Sequence, residues 1–140
     1  MDRKSEARWN GDLKSGKGTV KLGSGAFEGP YSFLSRFESG TGTNPEELLG
    51  AAHAGCFSMA LSGELGKAGM TPQRVETTAA VSLDTVDGKP TVTRSHLTVR
   101  AKIPGADPQK FQDAANTAKA GCPISRLLKA EVTMEATLES

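Results

Sequence analysis

Two periods run through the apolar positions of the chain. Alternation of period two, the mark of strands with one buried face, sets Val75, Thr77, Ala79, Val81 and Leu83 on one side of a first segment. It does the same for Leu97, Val99, Ala101 and Ile103 in a second, and for Val132, Met134, Ala136 and Leu138 in a third. Asp87-Gly88 joins the first two as a predicted hairpin. Nearer the N-terminus, Trp9-Asn10-Gly11-Asp12, Gly16-Lys17-Gly18 and Gly23-Ser24-Gly25 mark turns around short runs such as Thr19-Val20-Lys21-Leu22. A further strand is predicted at Tyr31–Phe37, with Tyr31, Phe33 and Phe37 on one face and Arg36 on the other.

The pattern turns helical at Asn44-Pro45-Glu46-Glu47. Asn44 reads as the N-cap, Pro45 as the first helical residue, and Glu47 is placed to close a capping box. The helix runs through Leu49, Ala52, Cys56, Phe57, Met59, Leu61 and Leu65 to end between Gly66 and Gly69, before Pro72. Up to Leu61 apolar residues occupy all its sides, which predicts a central helix covered by sheet or by a second subunit. Gly50, Ala51, Ala54 and Gly55 leave room for another backbone to approach. A second helix, capped by Asp107-Pro108, carries Phe111, Ala114, Ala115 and Ala118 inward and ends at Gly121; a short helical piece, Pro123 to Lys129, opens at Cys122-Pro123. The order βββ-α-ββ-α-β predicts an α+β fold with mainly antiparallel sheets around central helices.

At 140 residues the chain suits a single domain, 1–140. Lys+Arg 17 against Asp+Glu 16 gives a net charge of +1, without the basic excess that a nucleic-acid partner demands. No apolar run reaches the length of a membrane span, and Met1-Asp2-Arg3-Lys4-Ser5-Glu6 does not open a signal peptide. The expected location is the cytoplasm, with neither nucleic acid nor membrane as partner.

Chemistry then rests on two cysteines, Cys56 and Cys122, 66 positions apart. A structural disulfide is at odds with a reducing compartment. The spacing is not C-x-x-C, and two cysteines with His53 and His96 form no recognised zinc pattern. Two inert buried thiols are the plain alternative. Local physics nominates Cys122 as the reactive one, since it opens a helix, whereas burial would raise the pKa of Cys56 unless a cation lies beside it. His53, one turn before Cys56, reads first as a satisfied core histidine and second as an acid-base group.

Two long motifs carry a resemblance. Arg36-Phe37-Glu38 followed by Gly42-Thr43-Asn44-Pro45-Glu46-Glu47-Leu48-Leu49-Gly50-Ala51-Ala52-His53-Ala54-Gly55-Cys56-Phe57-Ser58-Met59-Ala60-Leu61, and Lys119-Ala120-Gly121-Cys122-Pro123-Ile124-Ser125, resemble the osmotically inducible protein C (OsmC) family. The match extends over essentially the whole chain, and the position of Arg36 is similar to the OsmC branch and unlike the sister organic hydroperoxide resistance branch. The resemblance implies an intertwined homodimer and a thiol peroxidase of oxidative and osmotic stress defence, acting on organic hydroperoxides and less efficiently on hydrogen peroxide. It implies that Cys56 is the peroxidatic thiol, Cys122 the resolving thiol, and Arg36 with Glu47 the activating pair, Glu47 fixing the guanidinium fork. Cys56 would pass through a sulfenic acid to a Cys56-Cys122 disulfide, reduced by an external dithiol such as a lipoyl-bearing protein, with no metal or organic cofactor. Phe33, Phe37, Phe57 and Met59 are candidates for an apolar peroxide pocket, a core role being the plainer reading of each.

Helix geometry adds a constraint. Glu47 and Cys56, nine residues apart, fall on opposite faces and roughly 14 Å apart along the axis, so if both serve one site, that site needs a second chain. Two other classes fit the same residues: a non-catalytic stress protein binding a hydrophobic ligand or partner, and a hydrolase using Cys56 with His53.

Overall fold

The N-terminal turns and alternating runs form a meander of β1 (Ser5–Asn10), β2 (Lys17–Leu22) and β3 (Glu28–Tyr31), antiparallel in the order β1-β2-β3. In this computed structural model, which describes residues Met1–Ser140, the meander belongs to a first compact unit, Met1–Leu48; Leu49–Ser140 form a second. Gly18, expected in a turn, lies inside β2 opposite Trp9 and Tyr31. A Cβ there would sit 2.3 Å from the Tyr31 ring and 2.7 Å from that of Trp9. Its glycine lets the two rings meet with centroids 5.3 Å apart.

The strand expected over Tyr31–Phe37 is not formed. β3 ends at Tyr31, and Phe33–Phe37 is a one-turn helix, α1. Ser32 caps it: its Oγ accepts from Ser35 N at 3.1 Å, while Ser35 Oγ accepts from Ser32 N at 2.9 Å, a closed capping box. Phe33 and Phe37, four apart, pack with ring centroids 5.0 Å apart. The same aromatic spacing that suggested alternation fits a helical i,i+4 pair, and the capping box decides between them. Ser35 Oγ also donates to Thr43 O at 2.7 Å, and Asn44 Nδ2 donates to Ser35 O at 3.1 Å, tying α1 to the start of the next helix.

That helix, α2, spans Pro45–Lys67. Asn44 Oδ1 accepts from Glu47 N at 2.7 Å, as the predicted N-cap requires. It stops at Gly69, φ +77°, with Met70 N donating to Leu65 O at 2.8 Å and Gly69 N to Gly66 O at 3.0 Å, a Schellman closure. Within the chain α2 buries one stripe, Gly50, His53, Phe57, Leu61 and Leu65, rather than most of its circumference; Ala51, Ala52, Gly55 and Met59 stay exposed.

In the second unit, β4 (Arg74–Val86) and β5 (Lys89–Lys102) form the predicted hairpin. Asp87 and Gly88 at its tip have φ +51° and +74°, the signature of a type I′ turn. β6 (Glu131–Glu139) pairs parallel with the other edge of β5, and parallel neighbours need a long crossover. α3 (Pro108–Gly121) and α4 (Pro123–Leu127) supply it. Gly50 lets α2 approach the sheet, since a Cβ there would lie 3.1 Å from Ala79 O. One core results, in which Phe57, Leu61 and Leu65 of α2 meet Leu97, Val99 and Ala101 of β5 and Phe111, Ala115 and Ala118 of α3. No helix is long and apolar enough to cross a membrane.

Candidate active site

Cys56 sits on α2, half-buried, beside the fully buried Phe57. Cys122 is fully buried where α3 hands over to α4. Its N–H donates to Ala118 O at 2.9 Å, and its Sγ accepts from Ser125 N at 3.3 Å, so one residue ends one helix and caps the next. Both thiols are free. They are neighbours: Cys56 packs against the core cluster that holds Cys122, and each thiol shifts the proton affinity of the other.

The shifts run in opposite directions. Burial pushes the Cys56 thiol up; a hydrogen bond from the Ile124 backbone opposes this, and the neighbouring Cys122 adds to it. Burial also disfavours ionisation of Cys122. There the hydrogen bond shared with the Ser125 hydroxyl and the one from its backbone N–H, joined by Cys56 and Ile124, outweigh burial and hold the thiol below its ordinary value. Between the two, Cys122 holds its proton less tightly than Cys56, as its helix-opening position suggested.

His53 is completely buried, and desolvation lowers its pKa, so the ring is neutral near pH 7. Both nitrogens are satisfied: Nδ1 lies 2.7 Å from Ser95 Oγ and Nε2 2.8 Å from Ser125 Oγ. The Cys122 thiol in turn donates to Ser125 Oγ at 3.2 Å. The satisfied core histidine is thus also connected to a cysteine, through Ser125, 72 positions away in sequence, while Ser95 holds its other nitrogen. Motif spacing carries no sign of either serine's role. His96, the other histidine, bonds Thr133 Oγ1 through Nδ1 at 2.6 Å on β5.

In the first unit Arg36, on α1, sends Nε and Nη2 to one carboxylate oxygen, Glu46 Oε1, at 3.2 and 2.9 Å. The expected fork to Glu47 is not made. Successive helix positions are turned by about 100°, and in this first turn Glu46 faces Arg36 while Glu47 Oε2 accepts from Thr43 Oγ1 at 2.7 Å. The second Glu46 oxygen, Oε2, is buried without a partner in the chain. The Arg36 guanidinium also stands 5.1 Å from the Phe37 ring centroid. A cavity of about 230 Å³ opens here, lined by Trp9, Leu13, Tyr31, Phe33, Phe37 and Arg36. Of the four residues expected to make an apolar pocket, Phe33 and Phe37 line this one. Phe57 belongs to the core, and Met59 is 79% exposed.

The fold and site define an α+β chain with two free, adjacent thiols, one half-buried on a long helix and one capping a short helix, an arrangement suited to reversible redox chemistry. Residues 38–137 match the family model described as OsmC-like protein, and the chain belongs to that family. It is 52% identical over 141 residues, covering 100% of this chain and 99% of the relative, to peroxiredoxin OsmC of Escherichia coli strain K12. An organic hydroperoxide resistance protein of Xanthomonas axonopodis pathovar citri is 28% identical over 102 residues, covering 71% of this chain and 68% of its own. An OsmC-like protein of Vibrio cholerae shares the fold at TM-score 0.79 and 18% identity, covering 98% of this chain and 99% of its own.

Proposed function

We propose that the chain is a cysteine-based peroxidase that reduces organic hydroperoxides, and hydrogen peroxide less efficiently, to the alcohol or water. The observation that carries this reading is the adjacency of two free thiols, Cys56 and Cys122, in a homologue of a peroxiredoxin. Cys56 thiolate attacks the terminal peroxide oxygen, the O–O bond breaks, and the alkoxide leaves with a proton as Cys56 becomes a sulfenic acid. Cys122 then displaces the sulfenic oxygen as water, forming the Cys56-Cys122 disulfide. An external dithiol, such as a lipoyl-bearing protein, reduces it by exchange. The cytoplasm, which keeps such thiols reduced, suits the cycle.

Cys56 is the thiol that burial pushes up, so its role as nucleophile calls for a cation. Arg36 supplies one, stabilising thiolate and departing alkoxide. Glu46 takes the positioning role expected of Glu47, because it holds the guanidinium. Glu46 and Cys56 are ten residues apart on α2, roughly 15 Å along the axis and about 80° apart around it. Arg36 of one chain therefore serves Cys56 of another in a two-fold homodimer, and the exposed apolar side of α2 around Met59 is in keeping with a covering subunit.

Mass spectrometry after one equivalent of cumene hydroperoxide tests the cycle. The native chain should lose two hydrogens, Cys122→Ser should carry a dimedone-trappable sulfenate on Cys56, and Cys56→Ser should stay unmodified. Turnover by Cys56→Ser at the native rate would end the proposal. Glu46→Gln should slow peroxide consumption by about tenfold or more, and Glu47→Gln by less than about threefold; the reverse order would return Arg36 to Glu47.

A further inference from the structure

We propose that Ser125 and His53 form a proton relay for the resolving thiol, so that the histidine of α2 serves Cys122 and not its own helix neighbour Cys56. The inference rests on the peroxidase reading above and assigns two residues to its second step. Three contacts carry it: Cys122 Sγ to Ser125 Oγ at 3.2 Å, Ser125 Oγ to His53 Nε2 at 2.8 Å, and His53 Nδ1 to Ser95 Oγ at 2.7 Å. The line is continuous and enclosed, since Cys122, His53 and Ser95 are fully buried and Ser125 half-buried. Bulk water is a poor proton acceptor for a thiol so placed.

The donors and acceptors fit both ends of a transfer. With Nδ1–H donating to Ser95, Nε2 accepts from the Ser125 hydroxyl, whose oxygen accepts the Cys122 S–H. After a shift of two protons along the line, the imidazolium donates through Nε2–H to Ser125, and the Ser125 hydroxyl donates to the thiolate. Ser95 keeps the same bond throughout, so no buried polar group loses its partner at either end. Burial lowers the His53 pKa, which makes the imidazolium a transient carrier and a ready donor.

In the resolving step the Cys122 proton passes through Ser125 to His53. The thiolate sulfur forms the S–S bond with Cys56, and the S–O bond of the sulfenic acid breaks. The departing hydroxide takes up one proton and the His53 imidazolium gives one up, so that water leaves and the ring is neutral again. The sum is one sulfenic acid plus one thiol giving one disulfide plus one water, with the Cys56 sulfur reduced and the Cys122 sulfur oxidised by one unit each.

The titratable groups facing the relay are Cys56 on α2 and Cys122 at the α3–α4 junction, with Ser95 as the partner on β5 and Ser125 on α4. None of these residues takes part in an ion pair. The expected consequence is therefore readable in the pH profile of resolution. Rapid quenching of the full-length protein with dimedone, after one equivalent of cumene hydroperoxide, gives the lifetime of the Cys56 sulfenic acid. Ser125→Ala should prolong it by about 100-fold near pH 7, with the deficit shrinking as pH rises and hydroxide takes the thiol proton instead. Ser125→Thr should restore resolution to within about fivefold. His53→Gln should behave as Ser125→Ala does; if it unfolds, by circular dichroism, the two Ser125 variants decide. Resolution at the native rate in Ser125→Ala overturns the relay. So does a deficit that is the same at every pH, which would mean that the bond to Ser125 anchors the thiol without moving its proton. Failure of the native protein to form any disulfide would instead overturn the peroxidase reading.

Discussion

At the residue scale, a neutral imidazole enclosed between Ser95 and Ser125 makes stability depend on pH. Desolvation depresses the His53 pKa, so below the ordinary histidine value of about 6.5 the unfolded chain binds more protons than the folded one. Unfolding free energy rises with pH where that holds, and so it must fall as pH is lowered from about 6.5. Urea midpoints measured between about pH 7 and about pH 5 should drop for the native chain and drop less for His53→Gln. The same scale shows what residue types reveal. Cys56, Cys122 and Arg36 stood out because thiols and an arginine in long motifs are chemically unusual. Glu46 and Glu47 are the same acid at adjacent positions, and only the direction each takes from the first helical turn tells which one holds Arg36.

At the scale of elements, α2 joins a strong start signal to a single buried stripe. Phe57, fully buried on that stripe, should cost about 3–5 kcal/mol when cut to alanine, read from denaturant unfolding of the reduced chain. The N-cap Asn44, whose side chain holds Glu47 N, should cost about 1 kcal/mol as alanine. Those ends were legible because caps are local chemistry: Asn44-Pro45, Gly69 and Asp107-Pro108 each satisfy backbone groups within a few residues. The alternating strands and the Asp87-Gly88 turn were legible for the same reason. α1 is hidden from the pattern because Tyr31, Phe33 and Phe37 satisfy a strand alternation, while the deciding Ser32–Ser35 box uses residues common in loops. The parallel pairing of β6 with β5 is a long-range choice that alternation alone does not encode.

On the scale of the whole molecule, a Cys56-Cys122 bond would close a loop of 66 positions, which in the chain-entropy account is worth up to about 4 kcal/mol. The protein oxidised by hydroperoxide should accordingly unfold at a higher denaturant midpoint than the reduced one, the difference vanishing in Cys122→Ser. The parallel crossover has a further consequence. β5 is paired along both edges, to β4 and to β6, and the stretch bearing Cys122 departs from β5 and comes back to lie beside it. Cys122 is thus slung from a frame fastened at both ends, next to the helix that carries Cys56. Both cysteines belong to one compact unit, Leu49–Ser140, so a bond between them would leave the frame standing. The clock of such a cycle would be set by bond-making, by proton transfer and by the arrival of reductant, with no domain hinge to wait for.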